Sequence, residues 1–199
     1  MPLMLRAAIF FTVGPALLGA ATGCAQEVKD PTAERSQITL APPGEPGVPL
    51  VVTGTLRAAG GSPIAGARLR VFQADAGGRY TPERPMDEPN ARLAGELVSG
   101  SQGRFEVRTV RPGGYAEPVT LRGAERYIPA HIHFEITADG FAERRLQLVF
   151  DDDPRMDDDY WREWAARGHH PVAHVTRDDA GVARCEVEIV LDGLSFDQN

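Results

Sequence analysis

The segment Pro129-Ala-His131-Ile-His133-Phe-Glu135-Ile136 carries the strongest chemical signal in the chain. In an extended strand alternate residues share a face, so His131, His133 and Glu135 point one way while Ile132, Phe134 and Ile136 point into a core. Two imidazoles about 7 Å apart at Cα on one strand face can meet at a single metal ion. The same spacing also fits a polar strand face that binds nothing, so the pair needs partners before it means a site. Tyr80 closes Phe72-Gln-Ala-Asp-Ala-Gly-Gly-Arg-Tyr80, and Tyr115 closes Thr109-Val-Arg-Pro-Gly-Gly-Tyr115. Each follows a strand candidate and a glycine-rich turn, where functional side chains are often placed.

Two other clusters compete for attention. In Gly168-His169-His170-Pro-Val-Ala-His174 the adjacent His169 and His170 do not share a face if extended, although His170 and His174 could meet in a loop; a solvated loop is the simpler reading. The acidic run Asp151-Asp-Asp-Pro-Arg-Met-Asp-Asp-Asp159 lacks the glycine and terminal glutamate of a known calcium loop and reads as a solvated turn leading into a helix cap.

The elements that must position these residues are short and apolar, separated by clusters drawn from 21 glycines and 16 prolines, which favours an all-β fold. Strands are predicted from Val48 through Leu56, at Ala67–Ala74, Gly103–Val110, Ala130–Ile136, Arg144–Phe150 and Ala183–Leu191. Six such segments suit a β-sandwich with mostly antiparallel strands. One short helix is predicted over Asp157–Arg167, where aspartates favour the positive end of the helix dipole and Gly168 can stop it. Trp161 and Trp164 lie three residues apart on one helical face, a spacing that suits packing onto the sandwich better than ligand binding.

Read in order, GTLRAAGGSPIAGARLRVFQADAGGRY, GRFEVRTVRPGGY, PAHIHFEI and RLQLVFDDDP resemble the core of the intradiol ring-cleavage dioxygenases, especially the protocatechuate 3,4-dioxygenase type. The resemblance runs from about Gly54 to Pro154 with every segment in sequence. It implies a non-haem Fe(III) enzyme that cleaves a catechol-type ring between its two hydroxylated carbons with O2, with no organic cofactor. By the same resemblance Tyr80, Tyr115, His131 and His133 are the four metal ligands. Tyr115 and His133 match the axial positions and Tyr80 and His131 the equatorial ones. Tyr115 is the ligand displaced by the diol, acting as an internal base, and Gln147 lies close to the substrate.

The donor chemistry agrees. Phenolates are hard anionic ligands suited to Fe(III), and two imidazoles complete a mixed O/N set that a thiolate-loving ion would not choose. Tyrosine has a pKa of about 10, so the metal's charge must drive its deprotonation.

One position departs from the family pattern. An arginine usual three residues before the first histidine is Ile128 here, with Arg126 two residues earlier as a shifted substitute. The departure motivates a competing reading, a non-catalytic β-sandwich module of transthyretin-like or carbohydrate-binding type that retains the iron site.

Composition bounds the rest. With 199 residues and 42% hydrophobic content there is enough apolar material for one core, predicted over residues 47–199. Residues 1–23 have one positive charge, Arg6, then an apolar run from Ala7 to Leu18 and small residues, the form of a secretory signal. Ala21-Thr22-Gly23-Cys24 resembles a bacterial lipoprotein box, though an aliphatic residue is more usual at Ala21; the expected fate is cleavage with lipidation of Cys24 and membrane anchoring, or plain cleavage nearby. Residues 24–46 read as a flexible tether. The net charge of −7 makes nucleic acid an unsuitable partner. The only cysteines are Cys24 and Cys185, so no disulfide framework is expected, and the alternating Ala183–Leu191 setting makes Cys185 a buried, inert thiol.

Overall fold

Ala183–Leu191 alternates buried and exposed residues without a break, the signature of a strand with one face on a core and one in water. The computed structural model describes residues 33–119, 124–157, 159–167 and 170–194. Its strands, in chain order, are β1 (Gln37–Thr39), β2 (Pro49–Ala58), β3 (Arg68–Gln73), β4 (Leu93–Val98), β5 (Arg104–Val110), β6 (Tyr115–Val119), β7 (Ala124–Ile128), β8 (His131–Thr137), β9 (Arg144–Phe150), β10 (Val172–Ala173), β11 (Thr176–Arg177) and β12 (Ala183–Leu191). One sheet has the order β1-β5-β2-β12-β11, the second β10-β9-β8-β3-β4, and β6 and β7 form a separate hairpin.

The two large sheets close on one core. Leu50, Val52, Leu56, Phe105, Val107, Val187 and Ile189 of the first meet Leu69, Val71, Ile132, Phe134, Ile136, Leu148 and Phe150 of the second. Gly54 of β2 is required by this packing, because a Cβ there would lie 2.1 Å from the ring of Phe105. The expected sandwich is therefore the observed one. It is mostly antiparallel, with parallel pairing confined to β1 with β5, β10 with β9, and β12 with β2.

Three expectations need correction. The tether predicted over residues 24–46 is too long: Gln37–Thr39 pairs with Glu106–Arg108, and Ser36 and Leu40 are buried, so this polar stretch completes a sheet edge. Backbone pairing with an existing strand needs little side-chain hydrophobicity, which is why periodicity missed it. The helix is shorter than predicted: a 3-10 turn at Pro154–Asp157 precedes α1 at Asp159–Ala166. The hairpin and β4 were not predicted at all, because Tyr115–Ile128 is polar and Leu93–Val98 is interrupted by Gly95, whose missing side chain leaves room for Ile38. The signal segment with Cys24, and His169, lie outside the described residues.

Candidate metal centre

The outer face of the second sheet holds the chemistry. Ile132, Phe134 and Ile136 are fully buried in the core, which turns His131 and His133 to the opposite face as strand alternation requires. β3 fixes the first imidazole plane: Phe72 is the cross-strand partner of His133, and their rings stack 4.4 Å apart at an interplanar angle of 4°. Beyond β3 the chain turns through Asp75, whose carboxylate accepts from the backbone N–H groups of Gly77 and Arg79 at 2.8 and 3.1 Å. That turn returns Tyr80 over the same sheet face. The Tyr80 backbone is anchored through its N–H to Pro85 O and through its carbonyl to Arg92 N–H, both at 2.8 Å.

Tyr115 arrives from the hairpin. It is the register partner of Ile128, and His131 follows at the start of β8, so the hairpin and the histidine strand are continuous. The two glycine turns lie against each other. Gly78 has φ +77°, and a Cβ on it would stand 2.6 Å from Gly114 O; a Cβ on Gly113 would stand 2.4 Å from Ala76 O. Bare backbone at these positions lets the two tyrosine-bearing segments approach closely.

The result is a convergence of four donor atoms. Tyr80 Oη lies 3.1 Å from His131 Nε2, 2.9 Å from His133 Nε2 and 3.4 Å from Tyr115 Oη, and the two imidazole Nε2 atoms are 3.0 Å apart. Tyr80, His131 and His133 are buried, and Tyr115 is half-buried. Burial pushes the Tyr80 phenol far above its ordinary pKa and Tyr115 up to about 12, while it holds His131 below its usual range and His133 down to about 3.

These atoms fit a cation. His131 Nδ1 lies 2.7 Å from the Pro129 carbonyl, so Nδ1–H donates there and Nε2 presents a lone pair to the centre. Tyr80 has one hydroxyl proton for three close neighbours, a shortage that one ion between the donors removes by drawing off the phenolic protons. Ligand bonds of about 2.1 Å to a small ion place neighbouring donors roughly 3 Å apart, as these are.

The remaining predicted residues divide. Gln147 is the cross-strand partner of His133 on β9 and is half-buried, within the neighbourhood of the centre. Its backbone N–H donates to His170 Nδ1 at 3.1 Å, and His170 stacks on Trp164 at 3.7 Å. His174 instead binds Asp151 at 2.5 Å, so His170 and His174 serve different partners and do not share an ion. In the acidic run, Asp152 pairs with Arg111 and the buried Asp153 accepts from the N–H groups of Ala130 and Arg155 at 2.8 and 2.9 Å, tying β8 to the turn before α1. Trp161 packs with Ile128, Val149, Met156 and Ala165, so the tryptophan face fastens α1 onto the sandwich as expected, with Tyr115 packed against the same cluster. Arg126 does not replace the missing arginine: it is exposed, bound to Glu117 at 2.6 Å and to Tyr160 Oη at 3.3 Å.

Glu88 is a neighbour that sequence reasoning missed. Its Oε1 accepts from Tyr115 Oη at 3.3 Å and its Oε2 lies 3.9 Å from His133 Nε2. Burial, with Glu117 nearby, raises its pKa, and the Tyr115 hydrogen bond opposes this. Nothing in the sequence singles out this one of 28 acidic residues.

Comparison with known proteins gives a consistent family. A family model described as dioxygenase matches residues 25–193. Chlorocatechol 1,2-dioxygenase of Pseudomonas sp. (strain P51) is 28% identical over 153 residues, 72% of this chain and 59% of that protein. The protocatechuate 3,4-dioxygenase beta chain of Burkholderia cepacia is 36% identical over 123 residues, 57% of this chain and 49% of that protein. Among solved structures, the dioxygenase domain of a dioxygenase carbohydrate-binding protein fusion from Streptomyces sp. SirexAA-E is similar with a TM-score of 0.60 and 28% identity, over 80% of this chain and 90% of that one. The chain spans about half the length of the curated relatives it matches, from 41% to 59% for the first three.

Proposed function

Because the chain belongs to the intradiol ring-cleavage dioxygenase family, we propose that it is a non-haem Fe(III) dioxygenase that cleaves an ortho-diol ring between the two hydroxylated carbons. The observation that carries this is the meeting of two phenolic oxygens and two imidazole nitrogens, each 2.9–3.4 Å from Tyr80 Oη or from one another. Two phenolates and two imidazoles suit a hard trivalent ion. The Streptomyces dioxygenase domain, nine-tenths of which this chain covers, supports reading a unit of this size as sufficient for a dioxygenase domain.

Tyr80, His131 and His133 are the fixed ligands in this reading, each buried and held by neighbouring backbone or stacking. A ferric ion held by these residues would supply Lewis acidity toward the diol and make its ring susceptible to O2. Tyr115, the least buried of the four, would be the residue that gives way to the diol, and its Oη would receive a proton from it. Glu88 stands ready to accept a hydrogen bond from that phenol. Gln147 lines the substrate side, and the apolar group of Ile128, Met156 and Trp161 limits water beside Tyr115.

The test is oxygen uptake by purified, iron-loaded protein with catechol. One O2 consumed per diol, with both oxygen atoms recovered in the two new carboxyl groups, is the expected result. Full iron occupancy without oxygen uptake on catechol, hydroxyquinol or protocatechuate would favour the non-catalytic module. The same proposal takes residues 1–23 as an export signal and Cys24 as a lipid anchor, so a Cys24→Ala chain should leave the membrane fraction; unchanged fractionation removes the anchor.

A further inference from the structure

One acid touches the centre, Glu88, with Oε1 3.3 Å from Tyr115 Oη and Oε2 3.9 Å from His133 Nε2, and the position where the family resemblance expects a cation is apolar. Ile128, register partner of Tyr115, is buried among Val149, Met156, Trp161 and Ala165. A second acid, Glu117, lies two residues after Tyr115 on β6. Glu117 is neutralised by Arg126 at 2.6 Å. Glu88 is not: among the described residues no arginine comes within ion-pair reach of it. Arg84 pairs with Asp87, and Arg70 is occupied by Glu135 at 2.9 Å and by the Pro89 carbonyl at 3.2 Å.

Glu88 is also fixed. It opens the 3-10 turn Glu88–Asn90 in the loop that carries Tyr80, and the Ala91 N–H donates to its carbonyl at 3.1 Å. Its side chain is 40% exposed, against 11% for His133, so its carboxylate is open to solvent beside Tyr115.

We propose that Glu88 is a specificity-determining residue whose carboxylate bars diols bearing a negatively charged ring substituent, so that the substrate class is uncharged ortho-diols. This rests on the diol-cleavage reading and narrows it. Once Tyr115 gives way, the charge of a bound ferric ion would be balanced by the Tyr80 phenolate and the two diol oxygens, so a further carboxylate on the ring would add unbalanced negative charge beside Glu88, with Arg70 already engaged by Glu135 and the Pro89 carbonyl. Two unit charges about 6 Å apart at an effective dielectric near 20 repel enough to weaken binding about a hundredfold, which salt reduces to roughly tenfold.

Three diols separate charge from shape: catechol, 4-methylcatechol and 3,4-dihydroxybenzoate, the last two differing in a methyl against a carboxylate on the same ring carbon. Each is titrated without oxygen into the Fe(III)-loaded full chain, with binding read from the visible band. The expected Kd for the dihydroxybenzoate is at least about tenfold weaker than for 4-methylcatechol. Glu88→Gln should shrink that ratio several-fold, whereas Glu88→Asp, which keeps the charge, should retain it. A merely structural role for Glu88 would move both ligands together. Equal wild-type affinities, or a ratio that Glu88→Gln leaves untouched, overturn the proposal while the diol reading survives. Iron-loaded protein that binds none of the three diols overturns both.

Discussion

Tyr80 Oη stands 2.9 Å from Nε2 of His133, and β3 with the turn that follows it bears on both. Phe72 near the end of that strand stacks flat on the imidazole, and the turn that follows returns Tyr80 above it. Ligand and ligand support thus come from one continuous segment, which makes Tyr80 the centre of the donor set and the first residue to test.

Tyr80 Oη touches all three other donors, so Tyr80→Phe should remove more iron than any other single conservative change. The Fe(III)-loaded wild type is expected to be coloured by tyrosinate-to-iron charge transfer. In Tyr80→Phe the band should fade and iron retention against a chelator should drop by about tenfold or more. Colourless wild-type protein with full iron occupancy contradicts the ligand set.

Gly78→Ala should damage the fold and the site together. The residue has φ +77°, and the added methyl would meet Gly114 O at 2.6 Å and Tyr115 Cβ at 3.1 Å. A cost of about 1–3 kcal/mol is expected from the backbone conformation and the forced shift of the Tyr115 turn. Denaturant titration measures the first effect and the weakened visible band the second; an unchanged midpoint would mean the two turns do not need their close approach.

How much of this was readable beforehand follows from what each residue depends on. His131 and His133 were legible because strand alternation is a local rule and Ile132, Phe134 and Ile136 announce the buried face. Tyr80 and Tyr115 were legible only through their glycine-rich turns and the family resemblance, since their meeting depends on pairing across β3, β8 and a polar hairpin. Glu88 was not legible. It reaches Tyr115 through loop geometry, and an acid before a proline in a loop has no periodicity to betray it. The same physics hid β1, a polar edge strand whose stability comes from backbone hydrogen bonds to β5.

Asp153 should be structural and indirectly functional. Its buried carboxylate accepts from Ala130 N–H, just before His131, and from Arg155 N–H. Asp153→Ala strands those donors and should cost about 2–4 kcal/mol. Asp153→Asn, with one oxygen acceptor in place of two, should recover part of the loss. Iron affinity is expected to fall in parallel with stability; full stability in the alanine variant would dismiss the role.

Cys185 gives a pH dependence with a definite sign. Burial pushes its thiol pKa up to about 12, above an unfolded value of about 8.5. Between those values the unfolded chain has lost a proton that the folded chain keeps, so stability falls as pH rises. The contribution is fully present below about pH 8.5. Comparing wild type with Cys185→Ala from pH 7 to pH 10 isolates it, and the wild-type midpoint should decline more steeply on the alkaline side. Parallel declines would mean the buried thiol is not the group that titrates.

Ile128→Arg tests the charge balance from the hairpin, at the register partner of Tyr115. Ile128 is 9% exposed and packed against Val149, Met156, Trp161 and Ala165, so a longer cationic side chain must displace that packing or reach past it toward Tyr115 and Glu88. The displacement should cost about 1–3 kcal/mol. If the guanidinium reaches Glu88, the uncompensated negative charge there is neutralised, and the preference for 4-methylcatechol over 3,4-dihydroxybenzoate should narrow as it does in Glu88→Gln. Both outcomes are readable in one folded sample, stability from denaturation and preference from the visible band. A variant that folds, binds iron and keeps the wild-type preference would place the discriminating charge elsewhere than at the Tyr115 rim.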